Sequence, residues 1–405
     1  MSKHNKQVLV PERRFREFRG NGTWELKELG DCLDYLQPTN YLVRSTAYDD
    51  KFSTPVLTAG KTFILGYTDE TDGIFEQGLP VIIFDDFTTA SKYVDFPFKA
   101  KSSAMKILLA RKNANIKFVY ESMQMVRYEV GVHERHWISI FSKLRIPVPC
   151  LQEQKKIADC LTSVDSLIKS QTQKLAALKK HKKGLLQQLF PAEGEMLPKL
   201  RFPEFRQKGE WKSEKLDGLG KRGSGHTPNK QISSYYNGGV KWVSLADSNK
   251  LDNRYISTTK IEISKEGVEN SSAVLHPAGT VILSRDAGVG KSAILQSEMA
   301  VSQHFIAWTC NETRLSNWFL YYVLQILKPT FERVAVGNTI KTIGMPYFKE
   351  LRIQVPSIGE QQRIANCLTS IDELISSQAE KVDALRAYKK GLMQQLFPAI
   401  DEVCA

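Results

Sequence analysis

No run in this sequence approaches the ~18 consecutive apolar residues that a bilayer-spanning helix needs. Its start, Met1-Ser-Lys-His-Asn-Lys-Gln-Val-Leu-Val10, has no apolar core of signal-peptide length. Cysteine is sparse: Cys32, Cys150, Cys160, Cys310, Cys367 and Cys404 never form a C-x-x-C pair. They read as free thiols in a reducing compartment, so a cytoplasmic protein is expected. Catalytic motifs are missing as well. His133-x-x-His136 offers half a metal site, but no Cys, Asp or Glu cluster at ligand spacing completes it, and no metal is expected. Asp69-Glu70 and Asp85-Asp86 fall in expected loops without the downstream lysine of nucleases. There is no nucleophile elbow, and no Asn or Asp followed by Pro-Pro and an aromatic, the tetrapeptide with which amino-methyltransferases hold a flipped base. Ser284-Arg-Asp-Ala-Gly-Val-Gly-Lys-Ser292 fails as a phosphate loop, because Arg285 stands where the first glycine belongs. A turn between two strands is the simpler reading of that run.

What is present is positive charge. With 405 residues, 42% hydrophobic and 25% charged, the chain has the composition of a globular protein of two or three domains. A formal net charge of +12 points to a polyanionic partner, with nucleic acid ahead of an anionic membrane.

The chain also repeats itself. Residues 144–192 reappear without a gap at 351–399, so that Leu144 matches Leu351, Gly184 matches Gly391 and Pro191 matches Pro398, each 207 positions apart. Well over half the positions are identical, at surface and core alike, which marks a duplicated unit. A second repeat carries Arg-Phe-x-Glu-Phe-Arg at 14–19 and 201–206, each followed five residues on by Trp24 or Trp211, at an offset of 187. Residues 1–10 read as a disordered lead. The chain is therefore two modules, each running from the short segment through a variable body to the long repeat, and the second body is longer by 207 minus 187, or 20 residues. The bodies, roughly 25–143 and 212–350, do not match each other.

In the first body 62–67, 80–84, 105–109 and 117–120 read as short buried strands. In the second, 241–244, 279–284, 293–295 and 305–308 do the same, and 316–327 reads as a helix. Each body is thus a mixed α/β domain. Pro149 and Pro356 then stop a strand, and Glu153-Gln154 and Glu360-Gln361 open a helix with negative charge in its first turn. Apolar residues follow at alternating steps of four and three, the heptad rule: Ile157, Leu161, Val164, Ile168, Leu175, Leu178, Leu185 and Leu189. The second copy has Ile364, Leu368, Ile371, Ile375, Val382, Leu385, Leu392 and Leu396, with polar breaks at equivalent points, Gln171 and Gln378, Lys182 and Lys389. About 38 helical residues rise ~57 Å, and so narrow a seam needs a partner seam of similar length. Either the other copy supplies it, antiparallel under a pseudo-two-fold axis, or a second chain supplies it in a parallel dimer. By symmetry the N-terminal segment should dock beside the end of the second helix, near Phe397.

The expected fold class is α+β: two mixed α/β domains joined by two long helices in an antiparallel coiled coil with pseudo-two-fold symmetry. If the partner is DNA, cations interleaved with hydrogen-bonding groups on loops suit groove readout: Lys61, Tyr67, Lys101, Lys106, Arg135, His136, Arg285, Lys291, Asn338, Thr339 and Lys341. The basic run Lys179-Lys-His-Lys-Lys183 on the first helix serves equally as a solvated face or as a phosphate contact.

Two variable bodies, each opened by a segment such as Leu200-Arg-Phe-Pro-Glu-Phe205 and closed by Val-Pro, Glu-Gln-x-x-Ile-Ala, Asp165 or Asp372, and Gly-Leu-x-Gln-Gln-Leu-Phe-Pro, resemble the DNA-specificity subunit of type I restriction-modification systems. The resemblance covers the whole chain, with one departure: Arg201-Phe202-Pro203 is Arg14-Phe15-Arg16 in the first copy. It implies a first target-recognition domain over 1–149, a first spacer helix over 150–192, a second target-recognition domain over 193–356 and a second spacer helix over 357–405. Each domain would read one half of a bipartite, asymmetric site in double-stranded DNA, and the helices would set the gap. It implies two methyltransferase subunits carrying S-adenosylmethionine, motor-nuclease subunits carrying ATP and Mg, and a non-catalytic role with no cofactor for this chain. Two rivals differ in simple measurements. A rod bridging two protein-binding domains need not bind DNA, whereas DNA binding through several cations weakens steeply with salt. A self-contained methyltransferase would bind S-adenosylmethionine alone.

Overall fold

The computed structural model describes residues 9–58, 60, 62–126, 136–337 and 341–399. The chain divides into two compact units, Met1–Gln173 with Glu380–Ala405, and Lys174–Ala379.

In the first unit a four-stranded antiparallel sheet has the order Leu33–Leu36, Met105–Ala110, Val81–Asp85, Ser91–Val94. Val81 to Phe84 are all buried, so the strand reads as an unbroken apolar run and not as an alternation. Successive side chains point to opposite faces. Ile82 and Phe84 join a core with Trp24, Phe118 and Leu161, while Val81 and Ile83 join another with Leu57, Phe75 and Phe98. A three-stranded sheet, Ile64–Thr68, Thr54–Leu57, Lys99–Ala100, completes the body.

The second unit has a five-stranded sheet in the order Gly220–Ser224, Phe305–Cys310, Val281–Ser284, Ser292–Leu295, Tyr255–Ile256. It has a four-stranded sheet as well, Ile261–Ile263, Tyr236–Val243, Met299–Val301, Leu275–His276. Again the central hairpin strand divides its side chains: Val281 and Leu283 pack with Trp308 and Phe319, and Ile282 with Val301 and Phe305.

Although their sequences do not match, the two bodies share a plan. Each has an antiparallel hairpin (Val81–Asp85 with Ser91–Val94, Val281–Ser284 with Ser292–Leu295), and a later strand pairs with its first arm (Met105–Ala110, Phe305–Cys310). A helix follows (Ile116–Met125, Asn317–Val334), then a ribbon closed by the strand before the long helix (Glu25–Glu28 with Arg145–Val148, Lys212–Lys215 with Arg352–Val355). Residues 284–292 form the hairpin turn expected of them. Gly288 and Gly290 there have φ of +112° and +84°, and a Cβ on Gly290 would lie 2.9 Å from Lys328 Cγ.

One strand expectation is corrected. Residues 117–120 lie in the helix Ile116–Met125, whose N-cap Asn115 accepts a hydrogen bond from the Phe118 N–H. Lys-Phe-Val-Tyr favours strand locally. Residues 116–119 are all buried, and a run buried all round carries no period by which a helix can be recognised.

The long helices are Leu151–Leu189 and Ile358–Leu396, each of 39 residues. In the first unit Ile157 and Leu161 pack with Leu392, Leu396 and Phe397, and in the second Ile364 and Leu368 pack with Leu185, Leu189 and Phe190. The start of each helix thus lies beside the end of the other, which makes the pair antiparallel. All sixteen heptad residues named above are buried or half-buried. Among the described residues no helix is long and apolar enough to cross a membrane.

Candidate nucleic-acid interface

A frame built twice from equivalent residues holds both bodies. Arg14 Nε and Nη2 donate to the Glu153 carboxylate at 2.8 and 2.7 Å, and Arg201 does the same to Glu360 at 2.7 and 2.8 Å. The remaining Nη1 of each arginine donates to two backbone carbonyls, of Asn21 and Gly22 or of Lys208 and Gly209. Both glutamates lie in the first turn of a long helix, where peptide dipoles favour a carboxylate. The next residue fastens the body helix: Gln154 Oε1 accepts from the Asn115 N–H, and Gln361 Oε1 from the Ser316 N–H, both at 2.9 Å. Asn115 and Ser316 are the N-caps of those helices.

The short repeated segment docks where symmetry placed it. The Arg13 N–H donates to the Gln395 carbonyl at 2.9 Å, and the Leu200 N–H to the Gln188 carbonyl at 2.8 Å. Trp24, Phe118 and Phe397 pack edge and face in one unit as Trp211, Phe319 and Phe190 do in the other. Arg16 in place of Pro203 changes little, since Arg16–Phe18 and Pro203–Phe205 form the same short 3-10 turn. Leu9, assigned to a disordered lead, is buried, and its carbonyl accepts from the Trp24 N–H.

Polar breaks in the heptads find partners. Lys389 Nζ lies 2.8 Å from Asp165 and 2.9 Å from Glu121, and Lys182 Nζ lies 2.6 Å from Asp372. Lys117 completes the first cluster at 2.6 Å from Asp165 and 2.7 Å from Glu121, whereas in the second the Tyr322 hydroxyl donates to Asp372 at 2.8 Å. Burial works to raise the pKa of Asp165, but hydrogen bonds from Lys117 and Lys389 outweigh it and hold the carboxyl below its usual range.

The hairpin turns and the chain that follows each body helix come together in both units. In the second, Asp286 accepts from His304 Nδ1 at 2.7 Å and from the Thr342 hydroxyl, and the Ile343 N–H donates to the Arg285 carbonyl at 3.0 Å. This ties the Arg285 turn to exposed Lys341. Burial opposes ionisation of Asp286, yet Thr342, His304 and the charge of Arg285 keep its pKa low. Arg285 Nε is 3.5 Å from Asp286, and Lys291 Nζ donates to the Ser248 carbonyl at 3.2 Å.

In the first unit Asp86 has the corresponding place, accepting from the His136 and Trp137 N–H groups. Here Lys106 and His136 stand inside the domain and not on its surface. Lys106 is 1% exposed and its ammonium lies 3.3 Å from Asp86, while His136 is 2% exposed. Their task is to anchor the turn, and a buried lysine escapes sequence reading because its partner is distant in the chain. Lys101 Nζ is 5.8 Å from the centre of the Tyr48 ring, and Tyr48 packs against Gly66, the residue before Tyr67, where an added Cβ would approach it to 2.6 Å. Lys61, Arg135, Asn338 and Thr339, with His133 of the half metal site, lie outside the described residues. Gln303, His304 and Lys230, which share one cleft rim in the second unit, were missed from sequence. The only signal was a polar turn, Ser302-Gln303-His304, between two buried strands.

Two repeated frames, each holding a body built on the same plan, define the class: a pair of like-built domains carried on a duplicated helical frame. The model for the type I restriction modification DNA specificity domain matches residues 21–180 and 208–386. The chain is 36% identical over 372 residues to the EcoR124I/EcoR124II specificity subunit of a type I restriction enzyme from Escherichia coli, covering 87% of each. It is 24% identical over 415 residues, 95% of each, to the MjaVIII specificity subunit of Methanocaldococcus jannaschii. Among solved structures, the S subunit of a type I restriction-modification system from M. genitalium superposes with a TM-score of 0.65 at 14% identity, over 96% of this chain and 100% of that one. This chain belongs to the type I restriction-modification DNA-specificity family. It is a non-catalytic specificity subunit with two target-recognition domains, working within a multi-subunit assembly on DNA.

Proposed function

We propose that each target-recognition domain reads one half of a bipartite, asymmetric DNA site and that the long helices set the unspecified gap between the halves. The observation that carries this reading is the contrast between frame and body. Arg–Glu clamps, Gln–N-cap bonds and aromatic triads repeat residue for residue, while the turns they present differ: Asp85–Ala90 in one unit, Arg285–Lys291 in the other. Equal frames with unequal reading edges suit two different half-sites. Arg285, Lys291 and Lys341 in the second domain and Tyr67 and Lys101 in the first are the described candidates for contact, with Lys61, Arg135, Asn338 and Thr339 beside them from the sequence.

The partners are two copies of a methyltransferase subunit, which carries S-adenosylmethionine, and motor-nuclease subunits, which carry ATP and Mg. The outer face of the long helices supports two copies of one partner. Ser163, Leu167 and Ser170 are exposed and identical to exposed Ser370, Leu374 and Ser377, whereas flanking exposed positions have diverged (Ser166 and Glu373, Lys169 and Ser376). Leu167 and Leu374 are 44% and 57% exposed, an uncommon place for leucine on a helix without a partner. The free cysteines suit work in the reducing cytoplasm.

Sequencing methylated adenines from cells that express this chain with its partner subunits tests the proposal. A two-part asymmetric motif with a fixed gap is expected, and a single contiguous palindrome would overturn it.

A further inference from the structure

A cleft of about 560 Å³ opens in the second unit between the turn after Met299–Val301 and the loop after Gly220–Ser224. The two segments touch backbone to backbone. The His226 N–H donates to the Val301 carbonyl at 3.1 Å, and a Cβ on Gly225 would fall 1.8 Å from that same oxygen, so only glycine allows the approach. Trp242 and Tyr236 form an aromatic wall with ring centres 6.4 Å apart, both pinned to the loop: Trp242 Nε1 donates to the His226 carbonyl at 3.0 Å and the Tyr236 hydroxyl to that of Pro228 at 2.6 Å.

Ser302 lines the cleft, 1% exposed, and its hydroxyl has no partner among the described residues. Such a group costs free energy unless something supplies a hydrogen bond. At the rim, exposed Gln303 receives the Thr227 hydroxyl on its amide oxygen, which fixes the plane of the amide. Exposed Lys230 stands on the same rim, and His304 is held from behind by Asp286.

A pre-oriented amide with a cation beside it is the arrangement that pairs with one base edge while the cation meets a phosphate. We infer that Gln303 is a base-reading residue of the second target-recognition domain, presenting its amide to an adenine in one half-site, with Thr227 as its positioning residue and Lys230 as a phosphate contact. This rests on the two-half-site reading above. Gln bonds adenine through N6 and N7 at once, which discriminates that base by roughly ten- to hundred-fold.

The test uses the complete assembly with its methyltransferase subunits. Competition binding would be measured on the methylated motif and on duplexes each carrying one base change, for the unaltered chain and for Gln303→Ala and Gln303→Glu. With the unaltered chain, changing the adenine in question should weaken binding by that ten- to hundred-fold. In Gln303→Ala the ratio at this position should fall to near one while every other position keeps its own, and Gln303→Glu should favour cytosine there. The inference is overturned if no position loses its ratio, if all positions lose it alike, or if the variants bind no duplex. A single contiguous motif for the unaltered chain would overturn the two-half-site reading, whereas the loss of discrimination at one adenine in Gln303→Ala tests Gln303 on whichever motif the unaltered chain shows.

Discussion

Removing Arg201 tests whether the repeated frame is an energetic unit as well as a geometric one. Arg201→Ala leaves Glu360, 1% exposed, without its cation, and strips the carbonyls of Lys208 and Gly209 of a donor. Breaking a buried pair by deleting one partner costs ~3–5 kcal/mol, and the helix N-terminus returns ~1 kcal/mol to the stranded carboxylate, so the expected loss is about 2–4 kcal/mol. At 2–4 °C per kcal/mol for a unit of roughly 200 residues, the melting temperature should fall by about 4–16 °C. Arg14→Ala is the internal control. Its bonds to Glu153 match those of Arg201 to within 0.1 Å, so its loss should match too, in the other unit. Calorimetry combined with limited proteolysis assigns each transition to its unit, and Arg201→Ala with Glu360→Gln closes a double-mutant cycle. A loss below about 1 kcal/mol for either arginine, or losses differing by more than about two-fold, would refute the argument.

Further outcomes follow from the same contacts. Lys389→Met should destabilise the first unit by about 2–4 kcal/mol, since Asp165 and buried Glu121 would then share Lys117 alone; urea unfolding measures this, and a change under 1 kcal/mol would contradict it. Because the folded Asp165 carboxyl titrates below its usual range, its contribution is present above about pH 4 and fades as pH falls through the lowered pKa. Lys389→Met should therefore flatten the acid limb of the stability curve, and an unchanged limb would count against the cluster. Leu167→Glu and Leu374→Glu should each remove one methyltransferase copy from the assembly, read as mass by native mass spectrometry; two copies retained in the double variant would sink the docking idea. One turn inserted into both long helices, ~6 Å of rise, should change the unspecified gap and leave the half-sites intact. Altered half-sites with an unchanged gap would exclude the helices as the ruler.

Much of the frame was legible because duplication writes the same constraint twice. Lys182 and Lys389 looked like flaws in a heptad until their recurrence at the same step showed them to be features, and Asp372 and Asp165 are what they meet. Docking of the N-terminal segment beside Phe397 followed from symmetry alone. The bodies were harder to read. Their common plan left no sequence match, since buried hairpin strands accept any apolar residues of suitable size, and the helix 116–125 was hidden because its opening turn, 116–119, is buried throughout. Lys106 looked like a surface cation because nothing near it in the chain announces Asp86. Gln303 was passed over for the opposite reason: a polar turn is what any hairpin-rich sequence shows, and only the approach of Gly225 to Val301 gives that turn a wall to face.

The docking of residues 9–24 against 392–397 bears on how the protein is made. The second unit is one unbroken stretch of chain, whereas the first takes its opening residues from the beginning and Leu392, Met393, Leu396 and Phe397 from near the end. Domains ordinarily fold in the order in which they leave the ribosome. Here the unit begun first is finished last, waiting with an open core while more than two hundred later residues are added, so a translation interrupted between residues 379 and 392 spares the second reading domain and leaves the first without part of its core.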